Sequence, residues 1–278
     1  MARRPHGSNS AVAGPGPAAA APVASATACP GALYLVPAPL DFGCEPQAQL
    51  EQTLPAGTLA VAAQLRHWIC ENARSTRAYL KRVRTLMPQP EPLQTVQLQE
   101  LPRAVHKKGD RVAGFDARPM LAPALAGHDL GLVCEAGMPA VADPGASVVR
   151  AAHELGIPVR PLVGPSALLL ALAASGLDGQ SFAFVGYLPQ DPAARAERVR
   201  ALERLARRDG QTQLFIETPY RNPSLWDTLL RTLAPGTRLA VASGLTLPQS
   251  SCCSATVARW RERPPPVSRD TPAVFALG

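Results

Sequence analysis

Several common features are scarce or missing in this 278-residue chain. Aromatic residues make up only 5%, and no apolar run approaches the ~20 residues that a helix needs to span a bilayer. None of the six cysteines forms a C-x-x-C pair, which argues against a metal site and is typical of reduced thiols in the cytosol. We therefore expect a soluble, cytoplasmic protein that holds no metal and contacts no membrane.

Standard cofactor and catalytic motifs are absent as well. No G-x-G-x-x-G follows a strand, no G-x-x-x-x-G-K-[ST] is present, and H-E-x-x-H is missing. The segment Gly164–Ser166 (GPS) resembles the start of a nucleophile elbow, but Leu168 stands where that motif needs its second glycine. A serine hydrolase is therefore disfavoured, and Ser166 either contacts a ligand or bonds backbone amides in the first turn of a helix.

Acidic residues are outnumbered by basic ones, 21 to 28, which gives a formal net charge of +7. Nucleic acid is the first partner to consider, because phosphates attract Lys and Arg through counterion release, although an arginine-rich composition without such a partner fits equally well. No acidic residue precedes Asp41, and residues 1–30 consist mainly of Ala, Pro, Gly and Ser with two arginines. We expect this stretch to be a disordered tail, with an organelle transit peptide as the alternative.

Beyond the tail, predicted strands alternate with predicted helices. Leu33–Val36 is a short apolar run bounded by Gly31 and Pro37, and Leu130–Cys134 is the clearest strand. This alternation predicts an α/β fold with a largely parallel sheet and helices on its faces. A second run of strand–helix units begins near Leu162, which predicts an N-terminal α/β domain over residues 31–162 and a C-terminal one over residues 163–278.

Two loops join a predicted strand directly to a predicted helix: Glu135–Gly145 and Gly164–Leu168. Ligands of open α/β sheets bind outside the carboxyl ends of the strands, so both loops are candidates for a binding cleft. Their glycines and prolines favour close approach of the backbone to a ligand. Asp143 is better explained as the N-cap of the following helix than as an acid paired with Glu135. A third such loop is Glu217–Arg221.

A basic helix and a long loop follow the second strand. The predicted helix Ala73–Arg84 carries four cations on one face, because their spacing is 3, 4 and 3: Arg74, Arg77, Lys81 and Arg84. This face is either solvated or binds an anionic ligand. Residues 87–114 are rich in proline and polar residues and predict a long loop. His106 lies there beside two lysines and is the only acid–base candidate among the histidines.

Six segments, taken in order, carry a resemblance to a known family. They are LYLVPAPL, CENARSTRAYLKR, GHDLGLVCEAGMPAVADPGASVVRAA, VGPSALLLALAASGL, QSFAFVGYLP and LFIETPYRN. The chain resembles the tetrapyrrole methylase superfamily of S-adenosylmethionine-dependent methyltransferases, and within it the branch that modifies ribosomal RNA. The most specific part is the loop E-A-G-x-P…D-P-G together with G-P-S-A. The chain departs from the RNA-modifying branch at PAPLDFG, at Glu71–Arg74 (ENAR) and at Cys134–Gly137 (CEAG).

The resemblance implies two α/β domains with S-adenosylmethionine bound in the cleft between them, and a homodimer. It implies cofactor contacts from the residues that match the family's loops: Pro37, Pro39, Glu135, Ala136, Gly137, Asp143, Pro165, Ser166, Ala167, Tyr187, Leu188 and Thr218. The implied substrate is RNA or a ribosomal subunit, methylated on a ribose 2′-oxygen. The basic helix face would hold phosphates, and His106 or Glu71 would accept the proton. The alternatives are methylation of a tetrapyrrole-like small molecule, and a non-catalytic RNA-binding or assembly protein.

Overall fold

The computed structural model describes residues 29–41, 43–108 and 114–278, and only the backbone of residues 106–108. Nearly all of the expected tail therefore lies outside the described residues. Within those ranges the strands form two five-stranded sheets, one built from strands before Leu162 and one from strands after it. None of the helices in these ranges has the length and apolar character needed to cross a membrane.

The first sheet is parallel throughout. Its strands are β1 (Leu33–Leu35), β2 (His67–Cys70), β3 (Gln97–Glu100), β4 (Leu130–Val133) and β5 (Val159–Pro161). Their order across the sheet is β3-β2-β4-β1-β5, and each neighbouring pair is parallel. All four residues of β4 are buried, as expected for an apolar strand inside a parallel sheet with both faces covered.

Helices cover both faces of this sheet. They are α1 (Leu50–Thr53), α2 (Ala56–Gln64), α3 (Ala73–Leu86), α4 (Arg103–Lys108), α5 (Ala122–Leu125) and α6 (Ala146–Glu154), with 3₁₀ turns at Leu93–Thr95 and Arg118–Leu121. Asn72 is the N-cap of α3, and its side chain accepts from the backbone N–H groups of Arg74 at 2.8 Å and Ser75 at 3.3 Å. This cap fixes where the basic helix begins, directly after β2.

The second sheet is mixed, so the predicted parallel arrangement holds only for the first. Its strands are β6 (Phe182–Tyr187), β7 (Thr212–Glu217), β8 (Arg238–Ser243), β9 (Ser251–Thr256) and β10 (Ala273–Leu277), in the order β6-β7-β10-β8-β9. Only β6 and β7 pair in parallel. Strand β10 lies antiparallel between β7 and β8, and β9 lies antiparallel to β8 at the edge. The short connection from β8 to β9 has no helix and therefore permits antiparallel pairing.

Helices also cover the second sheet on both faces. They are α7 (Ala167–Ser175), α8 (Pro192–Asp209), α9 (Asn222–Thr232) and α10 (Val257–Trp260), with a 3₁₀ turn at Pro219–Arg221. Helix α7 packs on one face, against β8, β9 and β10. The largest core cluster lies on the other face, where Phe215 stacks on Phe275 and Trp226 meets Trp260 edge to face.

The predicted long loop over residues 87–114 is wrong for much of its length, because that segment contains β3 and α4. Strand β3 has the sequence QLQE and lies at the edge of the sheet, where three of its four side chains are exposed. It therefore has no apolar run that would identify it as a strand. His106 lies within α4, but its side chain falls outside the described part of the structure.

Candidate active site

A cavity of about 400 Å³ lies between the two domains, and we call it the interdomain cavity. The first domain contributes the loops that follow β1 and β4. The second contributes the start of α7, the ends of β6, β7 and β8, and the start of β10. Seven of the twelve predicted cofactor residues line it: Ala136, Gly137, Asp143, Ser166, Ala167, Tyr187 and Thr218. Both loops that were predicted to form a cleft therefore meet in one cavity.

The other five predicted cofactor residues do not line the interdomain cavity. Pro39 and Glu135 line a neighbouring cavity on the other side of the β4 loop. The Pro37 carbonyl accepts a hydrogen bond from the Tyr79 hydroxyl at 3.2 Å. Pro165 is partly buried. Leu188 is 3% exposed and belongs to the core of the second domain.

Sequence reasoning missed most of the remaining wall of the interdomain cavity. The missed residues include Leu40, Ala242, Gly244, Leu245, Pro272 and Ala273. Gly244 and Ala273 come from the end of β8 and the start of β10, which adjoin only because β10 inserts between β7 and β8. The pairing partner of a strand is not readable from one sequence, so no local signal marked these positions.

The loop after β4 is held by backbone pairing and by left-handed residues. Ala38 and Gly137 exchange two N–H···O=C hydrogen bonds, of 2.9 and 3.0 Å, which tie this loop to the loop after β1. Gly137 has φ of +74°, and two alanines further along, Ala140 and Ala142, have φ of +64° and +67°. Left-handed backbone in a residue with a Cβ is strained and tends to occur at functional sites. The strained segment lies along the wall of the interdomain cavity.

Asp143 has a different position from the one predicted. Helix α6 begins at Ala146 with Gly145 as its N-cap, so Asp143 precedes the cap by two residues. The N-cap prediction is therefore wrong, and Pro144 is not the first helical residue. Asp143 instead lines the interdomain cavity, where it is partly exposed.

Glu71 lies at the edge of the first sheet, where the carboxylates of Glu135 and Asp143 act on it. Burial first, and then the nearby carboxylates of Asp143 and Glu135, raise the pKa of Glu71 to about 8, although a hydrogen bond from the Glu135 backbone lowers it. The Ser75 hydroxyl donates to Glu135 at 3.1 Å. At neutral pH the Glu71 carboxyl is therefore largely protonated, a property common among acid–base groups of active sites.

The loop after β7 is fixed by a buried ion pair. Glu217 has a fully buried side chain, and its Oε1 accepts from Arg221 Nη2 at 2.7 Å and from the Thr218 backbone N–H at 2.7 Å. The Arg221 guanidinium also lies 5.4 Å from the centre of the Tyr220 ring. On the second-domain side of the same cavity, burial first and then the carboxylates of Asp143 and Glu217 raise the pKa of the Tyr187 hydroxyl.

The basic face of α3 is largely solvent-exposed. Arg74, Arg77 and Lys81 are exposed, whereas Arg84 is partly buried and donates to the Glu91 carbonyl at 2.8 Å. Arg82, which was not predicted, pairs with the buried Asp41 at 2.7 Å. The helix thus offers three exposed cations near the carboxyl edge of the first sheet. Among the residues with described side chains, no cluster of His, Cys, Asp and Glu could hold a metal ion.

The sequence of residues 57–259 matches the profile of the tetrapyrrole (corrin/porphyrin) methylases. This match covers most of the chain, and the chain belongs to that family. Its overall fold is similar to that in a crystal structure of the methyltransferase CobJ, with a TM-score of 0.53, 18% sequence identity and coverage of 89% of this chain and 94% of the other. The two-domain α/β fold expected from the sequence is confirmed.

Among curated proteins, the chain is similar to enzymes named ribosomal RNA small subunit methyltransferase I. The protein from Xylella fastidiosa is 40% identical over 119 residues, which cover 43% of this chain and 42% of the relative. The protein from Mesorhizobium japonicum is 31% identical over 216 residues, which cover 77% of this chain and 64% of the relative. The chain thus spans less than two thirds of the length of these relatives.

Proposed function

We propose that this protein is an S-adenosylmethionine-dependent methyltransferase that acts on ribosomal RNA in the cytoplasm. The observation that carries the proposal is the interdomain cavity, which is lined by both the loop after β4 and the start of α7. The chain belongs to the tetrapyrrole methylases, which makes a methyl donor the expected ligand of this cavity. The curated relatives named as ribosomal RNA methyltransferases support the choice of RNA as substrate.

The residues of the interdomain cavity fit this cofactor. Its volume of about 400 Å³ lies within the range of ~300–1,000 Å³ typical of small-molecule sites. Small residues such as Gly137, Ala167 and Gly244 leave room for a flat heterocycle and let the backbone approach it. The carboxylate of Asp143 suits the positive charge of a sulfonium or an ammonium group. Ser166 and the first amides of α7 suit a carboxylate or hydroxyl groups.

When bound, S-adenosylmethionine supplies a methyl group that is already activated by a positively charged sulfur. The chain's own residues then have to align the acceptor, exclude water and accept a proton. Glu71 is suited to the last task, because a carboxyl with a pKa of about 8 is a stronger base than an ordinary carboxylate once it is ionised. His106 remains the second candidate for this role.

Two measurements test the proposal. Titration calorimetry should show one molecule of S-adenosylmethionine bound per chain. Small ribosomal subunits lacking the modification should then take up labelled methyl groups on a ribose. A protein that binds no S-adenosylmethionine is not this enzyme, and tight RNA binding without methyl transfer would favour the non-catalytic alternative.

Methylation of a small tetrapyrrole-like molecule is the second candidate function, favoured by the description of the family itself. It differs from the main proposal in its salt dependence. RNA binding through many phosphates weakens steeply with salt, whereas binding of a small molecule without a phosphate backbone should change much less between 50 and 200 mM salt.

We also propose that two copies of the chain associate through the outer face of α7. Helix α7 is apolar on all sides, yet Leu169 and Leu170 are 56% and 40% exposed, and the nearby Val163 is 72% exposed. Helices that are apolar all round are normally buried. Sedimentation should show a dimer that Leu169→Glu converts to a monomer, and a monomeric wild type would refute the association.

A further inference from the structure

Exposed apolar side chains gather at the open side of the interdomain cavity. Val141 is 45% exposed and Tyr187 is 55% exposed, and both line this cavity. Tyr220 is 65% exposed and comes directly after Thr218 and Pro219, which line the cavity as well. Single exposed apolar residues are ordinary, but a group of them beside one cavity indicates a contact surface. The proposed function assigns a methyl donor to the cavity and leaves the Tyr220 ring without a role.

Contacts with the cavity wall fix the position of the Tyr220 ring. The Arg221 guanidinium lies 5.4 Å from the centre of that ring. Its Nη2 donates to Glu217 Oε1 at 2.7 Å, and its Nε donates to the same oxygen at 2.9 Å and to Thr218 Oγ1 at 3.0 Å. Because Glu217 and Thr218 both line the interdomain cavity, the ring stands one guanidinium away from the cavity wall. The backbone is held too, since the Arg221 N–H donates to the Thr218 carbonyl at 2.9 Å.

The charges around this ring limit what can bind there. The Arg221 guanidinium is engaged by the buried Glu217 and is not available to an acidic ligand. Among the residues that the structure describes, the charged side chains that line the cavity are Asp143 and Glu217, and both are acidic. A tetrapyrrole with several carboxylates would find no basic partner on this wall. An uncharged aromatic group needs none, and the unstacked bases of RNA bind proteins by stacking on exposed aromatic side chains.

We propose that Tyr220 is the stacking platform for the base of the methyl-accepting nucleotide. This inference rests on the proposed function and names a positioning residue for its RNA substrate. A base stacked on this ring brings its sugar to the open side of the same cavity that binds the methyl donor. Because every base has a π face, the platform sets the position of the nucleotide without reading its identity.

The affinity of the full-length protein for a short oligouridylate tests the platform. Tyr220→Ala should weaken this binding about tenfold, as the loss of one base–aromatic stack does. Tyr220→Phe should bind like the wild type, because stacking does not need the hydroxyl. Stacking releases no counterions, so the slope of log K against log salt should be the same in the wild type and Tyr220→Ala. The matched control is Phe182→Ala, which removes a ring that is 40% exposed at the other end of β6 from Tyr187.

A fluorescence measurement detects the stack itself. The three native tryptophans, Trp68, Trp226 and Trp260, are at most 3% exposed and therefore respond little to a ligand on the surface. In Tyr220→Trp the new indole should be quenched by oligouridylate, and much less by the same sugar–phosphate backbone without bases. In Phe182→Trp neither ligand should quench the new indole.

The outcomes separate this inference from the proposed function. Binding of S-adenosylmethionine is measured by calorimetry on the same proteins and should be equal in all of them. If Tyr220→Ala binds both the cofactor and oligouridylate as tightly as the wild type does, the platform is refuted and the methyltransferase proposal stands. Equal quenching of Tyr220→Trp by the ligands with and without bases would also refute the platform. A wild type that binds no S-adenosylmethionine would overturn the proposed function itself.

Discussion

The carboxyl group of Glu71 links the stability of the fold to pH. Its pKa rises from 4.5 to about 8 in the folded chain, so folding favours the protonated form. The stability that this group contributes is fully present below pH 4.5 and is lost as the pH rises through about 8. Glu71→Gln imitates the protonated form. We expect it to change the melting temperature little at pH 4.5 and to raise it above that of the wild type at pH 9.

A matched control for this prediction is Glu197→Gln, which alters an exposed carboxyl on α8. Its melting temperature should follow that of the wild type at every pH. A difference between Glu71→Gln and the wild type that stays constant from pH 4.5 to 9 would contradict the raised pKa.

Gly164 lies in the segment that links the two domains, and its backbone packs closely against Pro37 of the loop after β1. A Cβ at this position would lie 2.2 Å from Pro37 Cγ and 2.4 Å from Pro37 Cβ, inside the rigid ring of a proline. Gly164→Ala should therefore destabilise the protein by about 1–3 kcal/mol in urea unfolding, as overpacked sites do. Gly179→Ala is the control, because nothing lies within 4 Å of a Cβ there. Equal stability of the two variants would show that the contact with Pro37 relaxes freely.

At the scale of an element, helix α3 carries two kinds of cation: some are exposed to solvent, and others are bound to protein oxygens. Arg77 and Lys81 are exposed, whereas Arg82 is bound to Asp41 and Arg84 to the Glu91 carbonyl. If the exposed face contacts phosphates, Arg77→Ala should reduce the slope of log K against log salt for RNA binding by about 1. Arg231→Ala, an exposed arginine at the end of α9, should leave the slope unchanged. Equal slopes for the wild type and Arg77→Ala would remove Arg77 from the RNA contact.

Elements with a buried apolar face could be predicted from the sequence, whereas the edge strands β3 and β9 could not. Strand β4 and helix α7 are marked by apolar runs because one or more of their faces are buried. Strand β3 has three of its four side chains exposed and β9 has three of six, so neither carries an apolar run that distinguishes it from a loop. The same limit applies to the site. Its loops follow clear strands and were found, whereas Ala273 lies beside Glu217 only through the pairing of β7 with β10.

At the scale of the whole molecule, the interdomain cavity couples the two domains. Because both domains line it, a ligand bound there is lost when either one unfolds. S-adenosylmethionine at 100 times its dissociation constant should add about 2.7 kcal/mol to the free energy of unfolding and raise the melting temperature. Differential scanning fluorimetry measures this shift, with ATP as a control that shares the adenosine part. An equal shift with ATP would mean that the cavity recognises only adenosine, and no shift with either would contradict cofactor binding.

The central place of β10 has a consequence for how the protein is made. The strands of the first sheet all precede Leu162, so that sheet can be completed while the ribosome is still translating the rest of the chain. The second sheet cannot be, because residues 273–277 form the strand between β7 and β8. Until those residues emerge, the edges of β7 and β8 remain open. A nascent chain stalled before Ala273 should therefore expose a protease-sensitive second half beside a protected first half.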